Sequence, residues 1–187
     1  MRIAVNAIPL AAGSGDGYYL RELLEHIAID HPGHQFLLLA DRSFDKNFPA
    51  NVTTSVVGKP SDNLLAKRWW LDVRAAAALK RWKTDVFITL DGFCSLTTSV
   101  PQVLGIRQLE LFHFPQKYSA GELLFLKLHL RRYARKANAI ITPSEYLKED
   151  IAARFKIAKD KVMVIPPVPA AIFHPMDWEA RQAIKDG

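Results

Sequence analysis

Short runs of apolar and β-branched residues, most of them continuously apolar, recur along this chain, and stretches of helical period separate them. The runs are residues 2–6 (RIAVN), 35–40 (QFLLLA), 52–57 (VTTSVV), 85–89 (DVFIT), 101–107 (PQVLGIR), 139–142 (AIIT) and 161–165 (KVMVI). Each has the length of a strand, and most lack the polar alternation of a sheet with one wet face. Strands of that kind, alternating with helices, predict a doubly wound, mostly parallel α/β sheet with helices on both faces, a three-layer α/β/α architecture. Such sheets bind ligands beyond the carboxyl ends of their strands, where the strand order reverses.

The helical stretches carry their own signals. Asp30-His31-Pro32-Gly33 stops the first helix. Ser61-Asp62-Asn63 are cap formers ahead of a helix over 64–82, with Trp69, Val73, Ala76 and Leu79 expected on its buried face and Lys67, Arg68, Arg74, Lys80, Arg81 and Lys83 as its basic residues. Ser119 and Glu122 have capping-box spacing and open a long helix to Lys136. Its expected buried stripe is Leu123, Leu126, Leu130, Tyr133 and Ala137. Ser144 caps the next helix. Pro166, Pro167 and Pro169 form a stiff connector, and Asp177 caps a last short helix to Lys185.

The first strand leads into MRIAVNAIPLAAGSGDGYYLRELL. Pro9 is expected to end the strand, because proline lacks the ladder N–H. Gly13, Ser14, Gly15, Asp16 and Gly17 follow, with a helix expected from about Gly17 and Asp16 as a candidate N-cap. Glycines let another molecule approach the backbone, and a helix N-terminus offers unpaired N–H groups to an anion. The spacing is neither the dinucleotide fingerprint G-x-G-x-x-G nor a P-loop. A plain turn between strand and helix is the alternative.

With 187 residues, 49% of them hydrophobic and 24% charged, the chain can build one domain with a substantial core. A single cysteine, Cys94, excludes an intrachain disulfide and fits a reducing compartment. Cys94 is read as a packing residue, with a nucleophilic role as the alternative. No stretch reads as a signal peptide or a bilayer span, so the cytoplasm is the expected location. The net charge of +6 admits nucleic acid, an anionic membrane or phosphorylated substrates as partners, or simply a basic surface. No nucleic-acid motif accompanies it. Lys127, Arg131 and Arg135 repeat every four residues on one helix face, and Trp69 and Trp70 lie in another basic helix. Both fit peripheral contact with the inner face of a membrane, or a solvated face.

Taken in order, these pieces resemble the N-terminal domain of family 4 glycosyltransferases, retaining and metal-independent enzymes whose two facing Rossmann-like domains form the GT-B fold. The resemblance rests on the opening strand, Gly-rich loop and helix, on RRYARKANAIITPSEYLKEDIAARFKIAKDKVMVIPP, and on Phe173-His174-Pro175 with Asp177 and Arg181. It implies an acceptor-side Rossmann-like domain over 1–170 and a linker helix over 171–187 toward an absent C-terminal domain. That domain would hold the nucleotide-diphosphate-sugar donor and an E-x7-E motif. The acceptor would be a glycan or lipid-linked molecule. This piece alone is expected to be inactive and to need no metal or other cofactor. Two departures stand out: Arg107-Gln108 replaces the family's frequent His-Asp pair, and Pro167-Val168 replaces its usual Asn-Gly.

The candidate sites follow, with catalytic residues left unassigned. Gly13, Ser14, Gly15, Asp16 and Gly17 form the loop facing donor phosphates and acceptor. Asp91, Arg107, Gln108, His113, Ser144 and Glu145 are the acceptor cleft. Each has a plainer alternative: Asp91 as a turn cap, Arg107 in a surface salt bridge, His113 as a loop residue, Ser144 and Glu145 as helix-start residues. The competing function is a non-catalytic Rossmann-like module that binds a nucleotide or an anionic sugar.

Overall fold

A computed structural model of the chain describes residues 1–12, 15–44, 47–58 and 63–166. The apolar runs form one sheet of seven strands in the order β3-β2-β1-β4-β5-β6-β7. The strands are β1 (Arg2–Asn6), β2 (Gln35–Ala40), β3 (Val52–Val56), β4 (Val86–Thr89), β5 (Gln102–Gly105), β6 (Ala139–Thr142) and β7 (Val162–Val164). Every neighbouring pair is parallel. The chain winds outward from β1 to β3, then crosses to β4 on the other side of β1 and winds outward again. The switch point therefore lies between β1 and β4, paired through Ile3–Val86, Ala4–Phe87 and Val5–Ile88.

The helices are α1 (Ile8–Ala11), α2 (Gly15–Asp30), α3 (Leu64–Trp69), α4 (Ala76–Trp82), α5 (Glu110–His113), α6 (Ala120–Lys136) and α7 (Glu145–Phe155). Because successive strand residues point to opposite faces, β2 feeds two cores. Phe36, Leu38 and Ala40 pack with Leu20, Leu24 and Ala28 of α2. Leu37 and Leu39 pack with Leu71 and with Ala78 and Leu79 of α4. A third core joins Leu104 and Ile140 of the sheet to Leu130 and Tyr133 of α6 and to Ile151 and Phe155 of α7. Among the described residues, no helix is long and apolar enough to cross a membrane.

Local structure departs from the sequence reading in three places. Pro9 does not lead into open loop; it occupies the first turn of α1, where its missing N–H costs nothing. Next, α2 begins at Gly15, so Asp16 lies inside the first turn and is not its cap. Finally, the helical stretch from Leu64 to Trp82 is continuous, but Trp70–Ala75 between α3 and α4 has π-type hydrogen bonding. The wider turn rotates the buried face. Trp69 and Val73, expected inside, are exposed, and Trp70, Leu71 and Ala75 are buried in their place.

The long helix follows its expected pattern. Ser119 and Glu122 complete both halves of the capping box, and Leu130, Tyr133 and Ala137 are buried along the expected stripe, while Leu123 and Leu126, expected buried too, are half-buried. Asn63 accepts from Ala66 N at 2.8 Å, capping α3; Ser61, Asp62, the Pro167-Val168 departure, Pro169, Phe173-His174-Pro175, Asp177, Arg181 and the linker helix lie outside the described residues.

Candidate functional site

The carboxyl ends of β4, β5 and β6 open onto a cavity of about 470 Å³. Asp91 and Gly92 follow β4, Arg107 and Gln108 follow β5, and Thr142 and Pro143 close β6; all six line it. The walls are completed by Leu23 and Ile27 of α2 and by Leu126, His129, Leu130 and Tyr133 of α6. The strand-end residues singled out from sequence thus meet at one place.

Asp91 is held from three sides. Its side chain is only 6% exposed, and its Oδ2 lies 2.9 Å from Lys67 Nζ. The same oxygen accepts from Asn6 Nδ2 at 3.0 Å. Asn6 is itself fixed, because its Oδ1 accepts from Ile8 N at 3.2 Å. Gly92 takes a φ of 80°, a left-handed turn that suits glycine, and the chain comes round so that Phe93 N donates to Asp91 Oδ1 at 3.4 Å. Lys67 Nζ also stands 4.0 Å from the centre of the Phe93 ring. The carboxylate is therefore oriented by a cation and an amide, with Oδ1 less fully engaged than Oδ2. Such an oxygen can accept a hydrogen bond from a hydroxyl in the cavity.

A second network backs the α6 wall. Arg68 Nη1 lies 2.8 Å from His129 Nε2. Guanidinium only donates, so Nε2 accepts, and the ring hydrogen sits on Nδ1, which donates to Phe125 O at 2.8 Å. Arg68 reaches Asp72 Oδ2 at 3.4 Å, and Asp72 Oδ1 accepts from Leu96 N at 2.6 Å and Ser95 Oγ at 3.2 Å. Both ring nitrogens of His129 are thus engaged within the protein. Burial, reinforced by the charge of Asp72, pushes the Tyr133 hydroxyl well above its ordinary range. Neither that hydroxyl nor the Thr142 hydroxyl has a hydrogen-bond partner among the described residues. The Cys94 thiol is pushed up to about 12, chiefly by burial and next by Asp72, which leaves it un-ionised at neutral pH. Cys94 is a packing residue, as its apolar neighbours suggested.

The other sequence candidates fall elsewhere. His113 Nε2 meets Asp150 Oδ2 at 3.2 Å, outside the cavity lining. Ser144 caps α7 by accepting from Leu147 N at 3.2 Å, and Glu145 is an exposed first-turn residue 3.7 Å from Lys148. Gly13 and Ser14 lie outside the described residues. Gly15 and Gly17 belong to the first turn of α2, and Gly17 is not part of the cavity lining. A Cβ on Gly17 would stand 2.2 Å from Pro9 O, so the chain's own backbone makes the close approach there. Sequence reasoning missed Asn6, Lys67, Arg68 and His129 as neighbours of the site. Asn6 alone left a signal: an amide at the carboxyl end of an otherwise apolar strand. Among the described residues, no group of three His, Cys, Asp or Glu side chains is placed to hold a metal ion.

The model of Glycosyltransferase Family 4 matches residues 13–168. The chain belongs to that family. No curated protein matches it. Among solved structures, the lipopolysaccharide outer core galactosyltransferase WaaB in its apo form superposes with a TM-score of 0.54 at 14% identity, covering 89% of this chain and 45% of that one. Apo UGT2 of Phytolacca americana gives a TM-score of 0.55 at 14% identity, covering 98% and 54%. Anabaena HepE in complex with UDP and glucose gives 0.55 at 12% identity, covering 99% and 50%. At these identities the likeness speaks for the fold alone: a Rossmann-like half of a GT-B architecture. The chain spans about half the length of these three solved structures.

Proposed function

We propose that this chain is the acceptor-side half of a retaining, metal-independent glycosyltransferase. It would move a sugar from a nucleotide-diphosphate sugar to a glycan or lipid-linked acceptor, with the donor held chiefly by a second Rossmann-like half. The observation that carries this reading is the cavity at the carboxyl ends of β4, β5 and β6, walled by Asp91 and Arg107, in a chain of this family. In the transfer, an acceptor hydroxyl oxygen bonds to the anomeric carbon, the bond from that carbon to the diphosphate oxygen breaks, and the hydroxyl proton passes to that departing diphosphate oxygen. Asp91 Oδ1 would accept that hydroxyl's hydrogen bond and orient it. Arg107, and N–H groups at the start of α2, would face the anionic side of the reaction.

The test is sugar transfer by the full-length gene product against a panel of nucleotide sugars. Transfer from at least one donor is expected, and Asp91→Asn should lower kcat/KM roughly 10²-fold. Tight nucleotide binding with no transfer from any donor would favour the non-catalytic module instead.

Contact with the inner face of a membrane is part of the same proposal. Leu65, Trp69 and Val73 are exposed along α3 and the π-type segment, and Leu124 and Leu128 along α6. The Arg68–His129 contact joins the two helical stretches, and Lys127, Arg131 and Arg135 are exposed on α6. Apolar and cationic groups side by side suit an anionic bilayer. Co-sedimentation with phosphatidylglycerol vesicles at low salt is expected; no binding at low salt would remove this part.

A further inference from the structure

The cavity's chemistry says more about its occupant than its position does. Leu23, Ile27, Leu126, Leu130, Ile141 and Ile165 supply much of its wall. A free sugar carries a polar group on nearly every carbon, and each one buried without a partner is costly. The wall has few to offer. His129 lines it, but its Nε2 is taken by Arg68 and its Nδ1–H by Phe125 O. The other polar residues gather at the strand ends, where Asp91, Arg107, Gln108 and the buried, unpartnered Thr142 hydroxyl lie, and just beyond β5, where Glu110 is paired with Lys117 and Tyr118 follows; on the α6 wall only the unpartnered Tyr133 hydroxyl adds to them. The volume of about 470 Å³ is within the common range for small-molecule sites.

We infer that the cavity takes the hydrocarbon body of an amphiphilic acceptor, whose single polar head lies at the Asp91 and Arg107 end. This rests on the acceptor-side reading above and narrows it: the acceptor is an alcohol on an apolar skeleton, not a free oligosaccharide. A lipid chain and a planar aromatic aglycone share that chemistry.

Calorimetric titration of this chain with monomeric n-alkyl β-glucosides from butyl to octyl, free glucose and 2-naphthyl β-glucoside tests it without any donor. Affinity should rise about fourfold per buried methylene, with free glucose giving no detectable binding. Tighter binding of the octyl compound assigns a lipid chain, and of the naphthyl compound an aromatic aglycone. Leu126→Trp fills the cavity and should flatten the series. Ile29→Trp, at an exposed position of α2 outside the cavity lining, should leave it intact. A flat series in the wild type, binding of free glucose as tight as that of the octyl compound, or a rising series that Leu126→Trp leaves unchanged would overturn the inference. Sugar transfer to a free sugar by the full-length gene product, together with a flat series, would sink this inference and leave the transferase reading standing. A rising series with no transfer from any donor would do the reverse.

Discussion

Two corners sit next to each other at the carboxyl edge of the sheet, one after β1 and one after β4. At the first, small residues bring the chain close to itself: Gly17 leaves room for the Pro9 carbonyl. At the second, polar residues line the cavity: Asp91 is fixed by Lys67, Asn6 and the turn at Gly92. Glycines in a strand-to-helix loop invite a ligand reading, yet the closest neighbour at Gly17 is backbone. The teaching of the pair is that absence of a side chain marks close approach without saying by what. At Asp91 the neighbours are side chains from β1 and α3 together with an open cavity, which is why a ligand hydroxyl is proposed beside it.

Substitutions can break this contrast. The largest effect is expected from Gly17→Ala, whose added carbon cannot coexist with Pro9 O. It should lower unfolding stability by about 3 kcal/mol in urea titration. Gly33→Ala, with open space at its Cβ position, should stay within about 0.5 kcal/mol. Equal behaviour of the two would remove the self-packing account of the first corner.

Lys67→Met sharpens the second corner. It removes the cation and leaves the buried Asp91 carboxylate with Asn6 and Phe93 N alone. A loss of about 2 kcal/mol is expected. Adding Asp91→Asn to that variant should cost less than the sum of the two single changes; strict additivity would mean that the pair does not act as a unit.

The smallest effect lies outside both corners and serves as a baseline. Ser119→Ala should cost about 1 kcal/mol by uncapping α6. Hydrogen bonds from the Ser119 hydroxyl and N–H hold the Glu122 carboxyl below its ordinary range. Its contribution is therefore present above the unfolded-state carboxylate range and is lost as pH falls through the depressed value. Thermal unfolding of wild type and Glu122→Gln should converge at acid pH; a gap that persists there would contradict the capping geometry.

Much of the fold was legible because its signals are local. Apolar runs such as QFLLLA form β2 over the expected residues, and the Ser119–Glu122 spacing becomes a complete capping box. The π-type turn at Trp70–Ala75 was not legible, since a helical period alone does not say where it widens. Its consequence is the exchange of Trp69 for Trp70 in the core. At the site, Asp91, Arg107 and Gln108 could be found because strand ends are places that topology makes important. Lys67 and His129 could not, since each reaches its partner from a helix far along the chain. His113 was drawn to the site by its place after β5, and Asp150 of α7 engages it elsewhere.

The sequence by itself determined a parallel sheet, its helices and the edge at which a ligand would bind, because hydrophobic period and capping act over a few residues. Tertiary structure alone decided which side chains share that edge. Asn6, Lys67 and Asp91 meet because β1 and β4 pair and α3 runs beside them, and a contact between distant segments has no local signature. The same holds for Gly17: its small size is written in the chain, but the carbonyl that requires it is known only once the backbone has folded back upon itself.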